Sequence, residues 1–312
     1  MATGAFGHIG LGKETAWGTP VAATDYVPFI SESLVHEIEQ IMENVIWINR
    51  HEPPQYAGLE TVKGDIVAEA RPGALGYFLR SCFGPPSTSG TGPYVHVFLP
   101  ASGAFLTNCA LPPYTLEIHR DLASAFQFAG CVVDKLTLEF GVKQKILKLT
   151  ASVMGKDVAL ITKTTPSFET AAPWLWDQAA IKIAGVDNAN LEDVSLSIEN
   201  NLEGVALLNQ TRKIGSIRFN GHLVGNLNLT FDVPNLDEYN RFKNQTEVAL
   251  EVTLTSGTNV LKLESSKTRY TAFPLNIGGP GRISVSASAK LKYDSTLGGL
   301  IKVTLTNDKA SY

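Results

Sequence analysis

Three groups of residues in this chain have types and spacings from which chemistry could be built. Gly7, Gly12 and Lys13 come close to a phosphate-binding loop, whose backbone amides cradle phosphates while the lysine contacts them. Glu14 stands where that loop needs a magnesium-binding Ser or Thr, and no strand can precede residue 7 to aim the amides, so nucleotide binding is not expected. Cys109, His119 and Cys131 fall within 23 residues, but a structural zinc site wants close pairs and a fourth ligand. Buried thiols are the expected reading. Glu37 and Glu39 lie about 7 Å apart if residues 35–42 form a strand, a spacing any solvated strand shares. The six histidines are scattered, and the Gly-x-Ser-x-Gly, His-Glu-x-x-His and Cys-x-x-Cys patterns do not occur. The sequence therefore reads as no enzyme, with no metal and no cofactor.

The elements around these residues are mostly strands. Leu136, Leu138 and Phe140 alternate with Lys135, Thr137 and Glu139, and Leu147, Leu149, Ala151 and Val153 alternate with Lys148, Thr150 and Ser152. The stretch 141–145 joins them as a hairpin. Residues 283–292 and 301–305 repeat the device around a turn at Gly298-Gly299. Such alternation predicts antiparallel sheets with one wet face. Two short helices are expected, one opening at Pro72 with Leu75, Phe78, Leu79 and Cys82 inward, the other at Pro234 with Leu236, Tyr239 and Phe242 inward. Segment 84–113 reads as a surface loop with one strand near 94–99.

The chain nearly repeats itself. Ile38, Glu39, Met42, Glu43, Val45 and Asn49 recur as Ile198, Glu199, Leu202, Glu203, Val205 and Asn209 at an offset of 160, and Gly64, Ile66, Ala68, Leu75, Phe78 and Arg80 recur at 161 as Gly225, Leu227, Leu229, Leu236, Tyr239 and Arg241. A unit this long is a domain, not a solenoid repeat. Two β-rich halves could also match by composition alone. The expected organisation is an N-terminal arm (1–27) without a core partner of its own, a first domain (28–162) and a second (163–312). A net charge of −4 without a basic cluster lacks the footprint of a protein that grips nucleic acid. The three cysteines give no disulfide framework, and the absence of an export signal or a long apolar run points to folding in a cytoplasm, away from membranes.

Several phrases resemble one family. Gly10-Leu11-Gly12-Lys13-Glu14-Thr15-Ala16-Trp17-Gly18-Thr19-Pro20-Val21 running into Tyr26-Val27-Pro28 is similar to the N-terminus of tail tube proteins of long-tailed bacteriophages. Gly64-Asp65-Ile66 through Arg71-Pro72-Gly73-Ala74-Leu75-Gly76 resembles that family's strand-to-helix step. Further likeness lies in Tyr114 to Ile118 with Phe126 to Cys131, and in Ser197 to Leu202. The resemblance spans about 10–305. It implies an all-β protein with minor α, made of two tandem β-sandwich or half-barrel domains, each with a flanking helix. It also implies a non-enzymatic virion protein, made in the host cytoplasm, whose rings stack into a tail tube through which the genome is ejected into the host. Partners would be further copies of itself, a tape measure protein, and terminator and baseplate proteins, with duplex DNA passing unbound.

The duplication favours three chains per ring over six. Ring or stacking contacts are expected from Trp17, Tyr26, Trp47, Glu52, Pro53, Pro54 and Tyr56, with Arg212, Lys213 and Arg218 opposite them, so that Glu52 and Glu60 of one layer meet those cations of the next. Glu37, Glu39, Asp65, Glu69, Glu139 and Glu199 are candidates for a weakly repelling lumen wall, although several lysines share the same kind of strand face. A soluble β-sandwich binding module, and another tail component such as a terminator or baseplate hub, stay open as alternatives.

Overall fold

The computed structural model describes residues 2–277 and 279–312. In chain order the strands of the first half are β1 (His8–Lys13), β2 (Asp25–Val27), β3 (Ser31–Glu32), β4 (Val35–Met42), β5 (Gln55–Glu69), β6 (Ser87–Ser89), β7 (Tyr94–Phe98), β8 (Tyr114–His119), β9 (Ala125–Gly141), β10 (Lys148–Gly155) and β11 (Asp157–Ile161), with helix α1 (Pro72–Phe83) after β5. The second half holds β12 (Ala179–Ile183), β13 (Val186–Asp187), β14 (Leu191–Glu199), β15 (Leu202–Val205), β16 (Ser216–Phe219), β17 (Val224–Asp232), β18 (Val248–Ser256), β19 (Asn259–Ala272), β20 (Ser284–Leu291) and β21 (Lys302–Asn307), with helix α2 (Asp237–Lys243) after β17. With 50% strand and 8% helix the chain is all-β with minor α.

One pairing scheme occurs twice, all antiparallel. β2 lies on β1, β1 on β8 and β8 on β9, as β13 lies on β12, β12 on β18 and β18 on β19. β3, running on into the start of β4, lies on β5, β5 on β10 and β10 on β9, as β14 lies on β17, β17 on β20 and β20 on β19. The last strand of each half, β11 or β21, returns to the first part of β9 or β19. The halves are not separate bodies. β14 pairs with β9, β7 from the first half covers the outer edge of β21, and one buried core runs through both.

The N-terminal segment is part of this core. β1 pairs with β8 from His8 to Lys13, and Ile9 and Leu11 are buried. The expectation of an arm lacking a core partner is thereby corrected. The Gly-Leu-Gly-Lys run is a strand, and its glycines answer to crowding: a Cβ on Gly12 would lie 2.6 Å from the Ala22 carbonyl oxygen. Glu14 then anchors the return. Its buried carboxylate accepts bonds from the Gly130 amide (2.7 Å), the Thr115 hydroxyl (2.8 Å) and the Gly18 amide (2.7 Å). Burial nonetheless raises its pKa above the ordinary glutamate value.

α1 begins where Pro72 presets the backbone and where the Gly73 and Ala74 amides donate to the Glu169 carboxylate (2.8 and 3.0 Å), an anion at the positive helix end. It is buried nearly all round. The aromatic ring of Tyr312 packs on it, against Tyr77 and His96, where Gly76 leaves room. α2 begins at Asp237, three residues after the expected Pro234, because the Asn235 side chain accepts the Asp237 amide and holds a turn there first. Its Tyr239 and Phe242 cover Phe273.

Two expectations follow. Gly76→Ala puts a methyl carbon into the Tyr312 ring and should lower unfolding free energy by about 1–3 kcal/mol in urea titrations, as overpacked cores do. For Glu14 the folded state holds the proton more tightly than the unfolded chain, so its contribution is greatest below the ordinary glutamate pKa. That contribution is lost as pH rises through the raised folded value. Glu14→Gln should therefore reduce the loss of melting temperature between pH 4.5 and pH 7 relative to the parent chain, and an unchanged pH profile would refute the assignment.

Candidate functional site

Eight strands form one ladder in the order β4, β5, β10, β9, β14, β17, β20, β19, four from each half. Because the pairing is in register, residue types sort into transverse rows. Ala68, Leu149, Leu138, Leu196, Leu227, Ala289 and Tyr270 are successive partners and all are buried. The next row, Val67, Thr150, Thr137, Ser197, Asn226, Lys290 and Arg269, lies on the opposite face. So does the row Glu69, Lys148, Glu139, Ser195, Asn228 and Ser288. A side-chain period of two applied to matched registers thus makes one continuous polar face across both halves.

Of the acidic candidates, Asp65, Glu69, Glu139 and Glu199 lie on this face. Glu37, opposite Thr61, and Glu39, whose carboxylate accepts the Leu59 amide, belong to the hairpin beyond it. The face is not a run of bare carboxylates. Lys148 stands 3.4 Å from Glu139, Lys135 3.8 Å from Glu199 and Arg71 3.9 Å from Glu69. Such half-exposed pairs add little stability, but each cancels a charge.

Each half projects a hairpin from the end of the ladder, and the two differ. β15 and β16 of the second half are docked: Leu202, Ile214 and Ile217 are buried with Cys109, Ala110, Leu111 and Val132, with Trp17, Leu59 and Met154 packed alongside. Its tip is tied down by Arg212 on Glu60 (2.6 Å) and Lys213 on Asp157 (2.5 Å). The hairpin of β4 and the first part of β5 carries Trp47, Glu52, Pro53, Pro54 and Tyr56 at its outer end and stands free. Ile46 and Ile48 are fully exposed, and Val35, Ile38, Ile41, Met42 and Val45 are exposed too. Exposed apolar side chains grouped in this way are common where proteins meet a partner.

Glu60 does meet Arg212, but within one chain, which corrects the expectation that this pair bridges two layers. Arg218 bonds Ser216. Trp17 donates to the Gly130 carbonyl (3.1 Å) under the Lys156 ammonium, and Tyr26 donates to Thr164 (2.7 Å), so both are engaged inside the chain. Cys109 and Cys131 donate to the Leu111 and Phe128 carbonyls, and burial pushes the Cys109 thiol up to about 12. The apolar residues of β4 escaped sequence reading as contacts, since Ile38 and Met42 were noted there for the repeat and Glu37 and Glu39 alone as site candidates. The signal was present in the Ile-Met-Glu-Asn-Val-Ile-Trp-Ile run, six apolar residues in eight and too apolar for a wet hairpin.

The sorting of faces has a direct check. Leu196→Ala removes a buried side chain from the central row and should cost about 2–5 kcal/mol, whereas its neighbour Ser195→Ala should stay within about 0.5 kcal/mol. Equal effects in denaturant titrations would mean that the two faces are misassigned.

No curated protein matches the chain significantly. The family profile described as phage tail tube protein matches residues 4–291, from before β1 to the end of β20. With all eight strands of the ladder inside that match, the chain belongs to the phage tail tube protein family.

Proposed function

We propose that three copies of this chain close a ring, that rings stack into the tail tube, and that the polar face of the eight-strand ladder lines the lumen through which duplex DNA leaves the virion. Family membership makes the chain a structural component of the tail. The finer reading is carried by one observation: a single chain holds two four-strand units already joined edge to edge, and among the described residues no strand lies on the outer edge of β4 or on that of β19 from Arg269 onward. Three chains then supply roughly 24 strands, and at ~4.8 Å spacing and ~40° tilt the backbone barrel is about 48 Å across. Side chains leave about 35–40 Å, which clears a hydrated duplex roughly 20 Å wide.

In this reading the two halves act as the two tube domains of a pseudo-sixfold ring. Its partners in the tail are a tape measure protein and terminator and baseplate proteins. Six chains per ring is the second reading. A soluble binding module gives no reason for a polar face that crosses both halves in matched register. Electron microscopy of concentrated protein with native mass spectrometry tests the proposal. Rings or tubes with a central hole and three chains per layer are expected. Six chains per layer would remove the trimer, and a monomer at all concentrations would remove the tube.

A further inference from the structure

One half docks on the other once within the chain, and the counterparts of both docked edges are left open. Within the chain, β14 pairs along the outer edge of β9, Lys135 opposite Glu199 and Leu136 opposite Ile198, and the hairpin that continues β14 folds over the first half. The counterpart of β14 is the β3–β4 edge, and the counterpart of the outer edge of β9 is the stretch of β19 from Arg269 onward. Among the described residues neither has a strand on that side.

The ladders fix the register. Ile198 lies opposite Gly225, and the partners Glu32–Ile66 and Val35–Lys63 place Leu34 opposite Gly64, so Glu199 corresponds to Val35. Lys135 faces Ser152 as Arg269 faces Lys290, so Lys135 corresponds to Arg269. The geometry points to a head-to-tail contact within the ring: the β3–β4 edge of one copy pairs antiparallel with β19 of the next, Val35 opposite Arg269. The free hairpin then lies over the second half of that neighbour.

This occupant, a second copy, suits both surfaces. The hairpin brings exposed apolar side chains together with Glu37, Glu39 and Glu43, and the end it meets carries Arg269, Lys290 and Lys292. In the lone chain the outward groups of Leu34 are covered, its amide by the Glu32 carboxylate (3.0 Å) and its carbonyl by Arg120 (2.6 Å). Natural sheets guard their edges in this way. The neighbouring strand takes over those bonds on assembly.

The inference rests on the ring reading, and the test separates the two. Cys82, Cys109 and Cys131 are buried, so a Val35→Cys/Arg269→Cys variant presents two accessible thiols. Seven strand spacings of ~4.8 Å keep them about 34 Å apart within a chain, far beyond disulfide reach. Mild oxidation of assembled protein should convert most of it to covalent dimers and trimers on non-reducing gels, while the Lys135→Cys/Glu199→Cys pair closes within the chain and runs as monomer. Rings visible by microscopy with only monomers on the gel would overturn the pairing and leave the tube. Crosslinks in stacked tubes but not in isolated rings would overturn it in favour of a contact between layers. Failure of the parent chain to form rings at all would remove both. A second variant guards against loss of fold. The Ser33 amide donates to Asp65, so by alternation the His36 amide points away from β5. His36→Pro should keep the monomer's circular dichroism and melting temperature while lowering ring yield at least tenfold, and undiminished assembly would refute the contact.

Discussion

The ladder between β9 and β14, from Asp193 against Gly141 to Glu199 against Lys135, is the contact on which the rest of the structure depends. It aligns the buried rows of the two halves, so that Leu136 meets Ile198 and Leu138 meets Leu196, and a single core replaces two small ones. A larger core buries a greater fraction of its chain's surface. The same ladder sets which side chains share the polar face. A slip of one residue at this seam would send every polar residue of β14 inward, so the seam is specified strongly by burial alone.

Polar anchors then pin the seam. Beside it, β9 carries one residue more than β10, and that residue, Asp134, accepts the Leu202 amide (2.7 Å) just where the chain leaves β14 for the docked hairpin. Buried Asn200 donates to the carbonyls of Cys82 (3.0 Å) and Val133 (3.3 Å), tying the same corner to α1. A buried amide that loses such partners costs about 1–3 kcal/mol, so these bonds oppose any other arrangement of the corner. The second half has no extra residue at the matching place. Thr268 and Arg269 follow one another directly opposite Leu291 and Lys290, and no seam is dressed there.

Much of the fold was legible because burial here follows local pattern. Alternation marked β9, β10, β20 and β21, Pro72 marked α1, and the duplication marked two related units whose second block, at an offset of 161, coincides with the strand pairing through Gly64 and Gly225. The first block does not coincide. Sequence identity aligned Ile38 with Ile198, but the ladders place Leu34 there, an offset of 164, because strand register answers to hydrogen bonding and burial and not to matched letters. The role of the N-terminal segment was hidden for a related reason. The partner of β1 is β8, more than 100 residues away, and a strand with five consecutive buried residues shows no alternation to read. Contacts such as Glu60 with Arg212 were visible as complementary charges, but whether they close within or between chains depends on where two hairpins end up in space.

The chemistry of the polar face can be weighed against the role proposed for it. A polyanion is held by cations that displace its counterions, so a wall that binds DNA needs unpaired lysines and arginines in line. Here Lys135 and Lys148 each stand beside a carboxylate, and the row between those pairs runs through Thr150, Thr137, Ser197 and Asn226, hydroxyls and an amide that water satisfies equally well, with cations, Lys290 and Arg269, at its end alone. Such a surface exchanges one hydrogen-bonding partner for another at little net cost. It neither attracts the phosphate backbone strongly nor excludes it, and a solvated duplex can move along it because no position is much better than the next.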